Sequence, residues 1–145
     1  KVIFSQEHKI RTKELPKIRK RLREAGWAIH CGPCDETGKR ASAGVGVMCK
    51  EDEVKVYPER IKDGELHEAY ECGMVAKYTM DVGWQRSYTV YNVYGKSGGS
   101  KEAITTTEAL CQGCRSWKSH KGNTTSIITP RAGRTWDFQS CWLDS

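Results

Sequence analysis

The sequence has no uninterrupted apolar run of about 18 residues, the length that a helix needs to cross a membrane. It has no internal repeat and no low-complexity tract, so neither a repeat architecture nor a biased segment is indicated. At its start it lacks a methionine, a charged leader and a signal-peptide core, and we expect Lys1 to be a cut end. With 145 residues, 37% of them hydrophobic, the chain fits one domain or part of a larger one.

Cysteine is present, but in an odd number, seven, so complete internal pairing is impossible. Two Cys-x-x-Cys pairs, Cys31/Cys34 and Cys111/Cys114, could together form a zinc site with four cysteine ligands. They lie much farther apart than the roughly 15–20 residues that usually separate two zinc knuckles. The first pair leads into a turn, whereas a redox motif opens a helix. We favour reduced, unpaired thiols in an intracellular protein, and a zinc module stays open as the alternative.

Positive charge is concentrated in one segment of a chain whose net charge is +6. Residues 11–23 contain one acid, Glu14, and the basic residues Arg11, Lys13, Lys17, Arg19, Lys20, Arg21 and Arg23. Such a basic face can steer a polyanion such as a nucleic acid, although a solvated helix face would have the same composition. The charge therefore permits a nucleic-acid partner without requiring one.

Hydrophobic periodicity and turn residues predict an alternation of strands and helices. The helix predicted after residue 14 has an apolar stripe of Leu15, Ile18 and Leu22, with Pro16 in its first turn and Gly26 after its end. Strands are predicted over residues 2–5, 27–30, 43–49, 54–57, 74–80, 88–94 and 126–129, and a second helix over 101–111. Pro58 is expected to stop the fourth strand, and residues 59–72 to form a connection. This order predicts a mixed α/β sandwich.

Gln6-Glu7-His8 directly follows the first apolar strand. A strand that ends in this way places a carboxylate at the carboxyl end of a sheet, where open α/β sheets bind their ligands. A carboxylate suits a hard cation such as Mg²⁺. The alternative is an exposed glutamate that begins a polar loop.

Four features in order resemble the endonuclease/exonuclease/phosphatase superfamily, which has the DNase I-like or exonuclease III-like fold. They are the strand into Gln6-Glu7, the helix into Gly26-Trp27, the small-residue strand Ala43-Gly44-Val45-Gly46-Val47, and the strand Val90-Tyr91-Asn92-Val93-Tyr94. The resemblance covers about residues 1–112. It implies an α/β fold with a mostly antiparallel sheet of a DNase I-like α/β sandwich, incomplete in this chain.

The resemblance also implies a chemistry and a site. Members of the superfamily are Mg²⁺-dependent phosphodiesterases or phosphatases, so Mg²⁺ is the expected cofactor and Glu7 its ligand. Tyr94 is expected near the scissile phosphate, facing one cleft with Glu7. Asn92 is expected either to support the site through its amide or to be structural. His8 is not expected to be the base, because the catalytic histidine of the superfamily comes from a much later segment.

Other parts of the superfamily site have no counterpart. The strand at residues 126–129 should lead into Gly-Asp-Phe-Asn, but Pro130-Arg131-Ala132-Gly133 follows. The sole echo is Asp137, in Trp136-Asp137-Phe138-Gln139. A second Asp, the Ser-Asp-His ending and an Asn on a strand before Gln-Glu are missing too. Residues 113–145 are an atypical tail, for which disorder, a reading frame shifted after Thr129 and a degenerate retroelement copy stay open.

The resulting hypothesis is Mg²⁺-dependent, endonuclease-type phosphodiester hydrolysis, with this chain alone inactive. The expected partner is a nucleic acid, with DNA favoured over RNA, and a small phosphodiester or phosphoinositide-type substrate stays open. No membrane is expected, and no protein partner can be inferred. An intracellular location, which includes the nucleus, is expected. The alternative function is a non-catalytic, basic nucleic-acid-binding domain that uses residues 11–23 for contact.

Overall fold

A computed structural model describes residues 1–38, 41–62, 64, 66–83, 87–95, 101–116, 124–129 and 139–140. The elements follow one another as β1 (Val2–Gln6), α1 (Leu15–Glu24), β2 (Trp27–Cys31), β3 (Val45–Lys50), β4 (Lys55–Glu59), α2 (Leu66–Glu71), β5 (Val75–Asp81), β6 (Ser87–Val93), α3 (Lys101–Ser116), β7 (Thr124–Thr129) and β8 (Gln139–Ser140). None of the helices that the structure describes is both long and apolar enough to cross a lipid bilayer.

The strands form two sheets. A three-stranded antiparallel sheet has the order β1-β3-β2, and a five-stranded sheet has the order β4-β5-β6-β7-β8. In the larger sheet β6 and β7 are parallel, while the other neighbouring pairs are antiparallel. This confirms the predicted α/β fold with a mixed, mostly antiparallel sheet.

Strand alternation decides which side chains fill the space between the two sheets. From the larger sheet, Tyr78 and Val90 pack with Val45 and Val47 of the smaller sheet, and all four are buried. Full burial of each valine contributes about 1.5–3 kcal/mol relative to exposure. The opposite face of the larger sheet packs against helices through the buried residues Ile61, Leu66, Ala69, Val75, Tyr91, Val93 and Leu110. The larger sheet therefore has an apolar core on each side.

The first helix has the form that the sequence predicts. Leu15, Ile18 and Leu22 of α1 are half-buried, α1 packs against β2, and Pro16 lies in its first turn. Gly26 ends α1 in the left-handed region, with φ of 74°, and its N–H donates to the carbonyl of Arg23 at 2.9 Å. Glycine adopts this conformation without the steric cost that a Cβ would bring.

Two element predictions are wrong. Pro58 does not stop the fourth strand but lies inside β4, opposite Tyr78. This is possible because β4 is the edge strand of its sheet, where a missing N–H costs no ladder bond. The segment predicted as a connection over residues 59–72 contains α2. In addition, α3 continues beyond the predicted end at residue 111, to Ser116.

Candidate functional site

The two sheets meet at the ends of β1 and β6. The Nε2 of Gln6 donates hydrogen bonds to the carbonyl oxygen of Val93 at 2.9 Å and to Oδ1 of Asn92 at 3.3 Å. Because β1 and β2 flank β3 and both end at its start, the carboxyl ends of three strands, β1, β2 and β6, gather here. We call this region, residues 6–8, 31–34, 43–45, 73–75 and 92–94, the site end.

Asn92 fastens the two sheets together at the site end. Its side chain is fully buried, and its Nδ2 donates to the carbonyls of Ser5 and Gly46, both at 3.0 Å. Its Oδ1 accepts the bond from Gln6. Both amide N–H groups are thus used within the protein, and they connect β6 to β1 and β3.

Glu7 leaves β1 at the open rim of the site end. Its φ is 52°, a left-handed conformation that costs a non-glycine residue about 1–2 kcal/mol. Its carboxylate is 46% exposed and lies 3.6 Å from Nζ of Lys9, which is itself exposed. An exposed pair of this kind contributes little stability. The carboxylate can therefore leave Lys9 for a cation at small cost.

Tyr94 directly follows β6 at the same end. Its N–H donates to the carbonyl of Met74 at 2.7 Å, and its half-buried side chain packs against the core between the sheets. Glu7 and Tyr94 each follow one member of the hydrogen-bonded pair Gln6 and Val93. The structure thus brings the two segments together, as the predicted cleft requires, and the roles of Glu7, Tyr94 and Asn92 stay predictions.

A glycine junction, formed by Gly44 and Gly73, packs against His8 and Pro33. A Cβ on Gly44, whose φ is 90°, would lie 2.6 Å from Cε1 of His8. The N–H of His8 donates to the carbonyl of Gly44, and the N–H of Gly44 donates to the carbonyl of Gly73. A Cβ on Gly73 would lie 2.5 Å from the carbonyl oxygen of Pro33. The small residues of segment 43–47 are the sequence signal for the close approach at Gly44.

His8 orders the loop after Glu7. Its Nδ1 accepts a hydrogen bond from the N–H of Ile10 at 3.0 Å, while its Nε2 has no hydrogen-bond partner among the described residues. Burial lowers the pKa of His8, and the nearby carbonyls of Gly32 and Val45 partly oppose this shift. The ring is therefore held neutral against Gly44, as a packing group.

The first Cys-x-x-Cys pair consists of free thiols with raised pKa values. Cys31 and Cys34 are unpaired, and burial raises the pKa of Cys31 to about 11. Burial and the Glu36 carboxylate also raise the pKa of Cys34, whose Sγ donates to the carbonyl of Ile10 at 3.1 Å. A raised pKa disfavours the thiolate, which is the nucleophilic form of cysteine. The side chains of Cys111 and Cys114 lie outside the described residues.

The residues that are described offer Mg²⁺ one ligand and do not complete a site. Among them no group of three or more His, Cys, Asp and Glu could hold a metal ion. The strand β7 runs parallel to β6 and ends at Thr129, at the site end of the larger sheet. The sequence after Thr129 has no acidic residue before Asp137, which lies outside the described residues. Glu7 thus fits as one carboxylate ligand, and its partners are not found among the described residues.

No protein-family model and no curated protein sequence matches the chain. Several solved structures are similar to it, among them the following two. The human Nocturnin catalytic domain with bound sulfate anion superposes with a TM-score of 0.58 at 10% identity, over 88% of this chain and 49% of that chain. ANGEL2, a 2′,3′-cyclic phosphatase, gives 0.56 at 14% identity, over 88% of this chain and 38% of that chain. This chain thus spans half or less of the structures it matches, and the similarity shows the fold.

Proposed function

Because the chain has the fold of the endonuclease/exonuclease/phosphatase superfamily, we propose that its function is phosphodiester hydrolysis at the site end, of endonuclease type and dependent on Mg²⁺. One observation carries the proposal. Hydrogen bonds from Gln6 and Asn92 hold the Glu7 segment beside the Tyr94 segment, at the carboxyl ends of β1 and β6. The 2′,3′-cyclic phosphatase ANGEL2, which shares the fold, supports a phosphoester substrate.

Each residue has a distinct part in this proposal. Glu7 is the metal-binding carboxylate. When bound, Mg²⁺ would neutralise phosphate charge and stabilise the leaving oxygen. The phenol of Tyr94 donates a hydrogen bond to a phosphate oxygen. Asn92 acts through Gln6, as a positioning residue that keeps the end of β1 against β6.

We further propose that this chain alone does not turn over substrate. One carboxylate with the exposed Lys9 beside it binds Mg²⁺ weakly, because Mg²⁺ in phosphoryl-transfer sites relies on several oxygen ligands. The proposed substrate is a nucleic acid, with DNA favoured over RNA. An intracellular location that includes the nucleus stays a prediction.

Restoring the missing carboxylate tests the function. The variant Pro130→Gly, Arg131→Asp, Ala132→Phe, Gly133→Asn writes the superfamily motif directly after β7. We expect Mg²⁺ binding about tenfold tighter or more, because a second carboxylate adds both charge and a ligand. Isothermal titration calorimetry measures the affinity, and nicking of supercoiled plasmid DNA measures the activity.

The matched control carries the same changes but with Arg131→Asn, so that the carboxylate alone differs. The gain in Mg²⁺ affinity should appear in the variant with Arg131→Asp and be absent from the variant with Arg131→Asn. It should disappear when Glu7→Gln is added to the variant with Arg131→Asp. If the gain survives Glu7→Gln, Glu7 is not the metal ligand and the proposal fails. Mg²⁺-dependent nicking by the unmodified chain, abolished by Glu7→Ala, would instead contradict its proposed inactivity.

A further inference from the structure

The outer side of α1 carries a set of exposed cations, Lys17, Lys20, Arg21 and Arg23, which we call the basic face. Within the part of the chain that the structure describes, no acidic side chain forms an ion pair with any of them. The apolar stripe of α1 faces the protein, since Leu15, Ile18 and Leu22 are half-buried. The basic face is therefore directed to solvent.

Helix geometry places the cations of the basic face on one side of α1, where the exposed acid Glu24, the last residue of the helix, lies beside them. Lys17 lies three and four positions before Lys20 and Arg21, and Lys20 lies three before Arg23, so neighbouring side chains share a side of the helix. Like charges at these spacings repel one another and destabilise a helix. The acid nearest in sequence before the helix, Glu14, accepts a hydrogen bond from the N–H of Arg11. Binding of an anionic partner to the basic face would reduce this repulsion between its cations.

The positive potential of α1 also reaches the neighbouring strand. Burial lowers the pKa of His30 in β2, the charge of Arg19 in α1 lowers it further, and the charge of Glu51 opposes this shift.

The basic face starts near the site end. Just before α1, the N–H and Oγ1 of Thr12 donate to Oε1 of Glu36 at 2.8 and 2.7 Å. Glu36 belongs to the loop that follows β2, two residues after the site-end segment 31–34. From there α1 runs away to Ala25, whose carbonyl accepts a hydrogen bond from Lys50 at the far end of β3. A nucleic-acid strand bound along α1 would therefore lead toward Glu7.

We propose that the basic face of α1 binds the phosphate backbone of a nucleic acid without regard to its sequence. At 1.5 Å per residue the face is about 9 Å long from Lys17 to Arg23, which matches about three nucleotides of one strand. Lysine and arginine contacts to phosphates fix position and carry no base information. The proposal concerns binding and holds whether or not Glu7 supports hydrolysis.

The test is fluorescence anisotropy of a labelled 20-nucleotide single-stranded DNA across a range of salt, in EDTA so that no hydrolysis contributes. In K17Q/K20Q/R21Q we expect affinity at about 0.1 M salt to fall roughly 100-fold. This follows from about fivefold per lost phosphate contact at a salt exponent of about 0.7. The slope of log affinity against log salt should shrink by about two.

The matched control is K55Q/K62Q/K101Q, which removes the same charge from exposed lysines elsewhere. It should lose less than about threefold, and K17R/K20R should bind as the wild type does. Glutamine keeps the helix propensity of lysine, and the loss of like-charge repulsion should slightly raise the melting temperature of K17Q/K20Q/R21Q. A lowered melting temperature with lost binding would be resolved by K17R/K20R, which keeps the charge.

Three outcomes overturn the proposal. In the first, the wild type does not bind the oligonucleotide at about 50 mM salt. In the second, the two triple variants lose affinity equally, which would indicate a diffuse charge effect. In the third, vesicles containing phosphatidylserine bind through the basic face while the oligonucleotide does not, which would assign the face to a membrane surface instead.

Discussion

At the scale of single residues, the buried amide of Asn92 determines where Glu7 lies. Asn92 satisfies the carbonyls of Ser5 and Gly46, one on each of two paired strands, from a strand of the other sheet. Leaving a buried carbonyl without a hydrogen-bond donor costs about 1–3 kcal/mol. Because Asn92 serves two such carbonyls, its replacement should be strongly destabilising. The stability of the inter-sheet contact and the geometry of the site thus depend on the same side chain.

Replacing Asn92 should reveal this double role. We expect Asn92→Ala to lower the free energy of unfolding by about 2–4 kcal/mol, since both carbonyls lose their donor and a cavity remains. Urea unfolding followed by circular dichroism measures the change. Glu68→Ala, at an exposed position of α2, should change it by less than about 0.5 kcal/mol. A cost of Asn92→Ala below about 1 kcal/mol would contradict the role assigned here.

At the scale of elements, a local sequence pattern predicts a strand or helix when that pattern alone determines the element. The apolar stripe of Leu15, Ile18 and Leu22 indicates the helix α1 without knowledge of the element that it packs against. In contrast, α2 is six residues long and too short for a periodic pattern to emerge. Pro58 is compatible with a strand because β4 lies at a sheet edge, and strand order is not visible in a local pattern.

The glycine junction is an element-scale feature that single-residue changes can probe. Gly73→Ala should lower the free energy of unfolding by at least about 2 kcal/mol, because φ is 73° and the added Cβ would meet the Pro33 carbonyl at 2.5 Å. Gly83→Ala is the matched control, since its φ is 80° but no described atom lies within 4 Å. Thermal unfolding measures the stability of both variants, and the difference between them gives the effect of the contact with the Pro33 carbonyl. Equal losses would show that the junction is not tightly packed.

At the scale of the whole molecule, the positions of Glu7 and Tyr94 after strands could be predicted, and their roles in a site stay predictions. Each directly follows an apolar strand, and the end of such a strand is a local signal in the sequence. The contact of Gln6 with Asn92 joins residues 86 positions apart, and a single sequence carries no sign of that pairing. The further ligands of the superfamily site would follow β7, where the sequence departs from the superfamily pattern.

The central claim is that Glu7 binds a divalent cation at the site end, and paramagnetic mapping tests it most directly. Substoichiometric Mn²⁺ added to ¹⁵N-labelled protein broadens the amide signals nearest the bound ion. We predict the strongest broadening at residues 6–8 and 93–95, its loss in Glu7→Gln, and no change in Glu68→Gln. Broadening centred elsewhere, or unchanged in Glu7→Gln, would contradict the account.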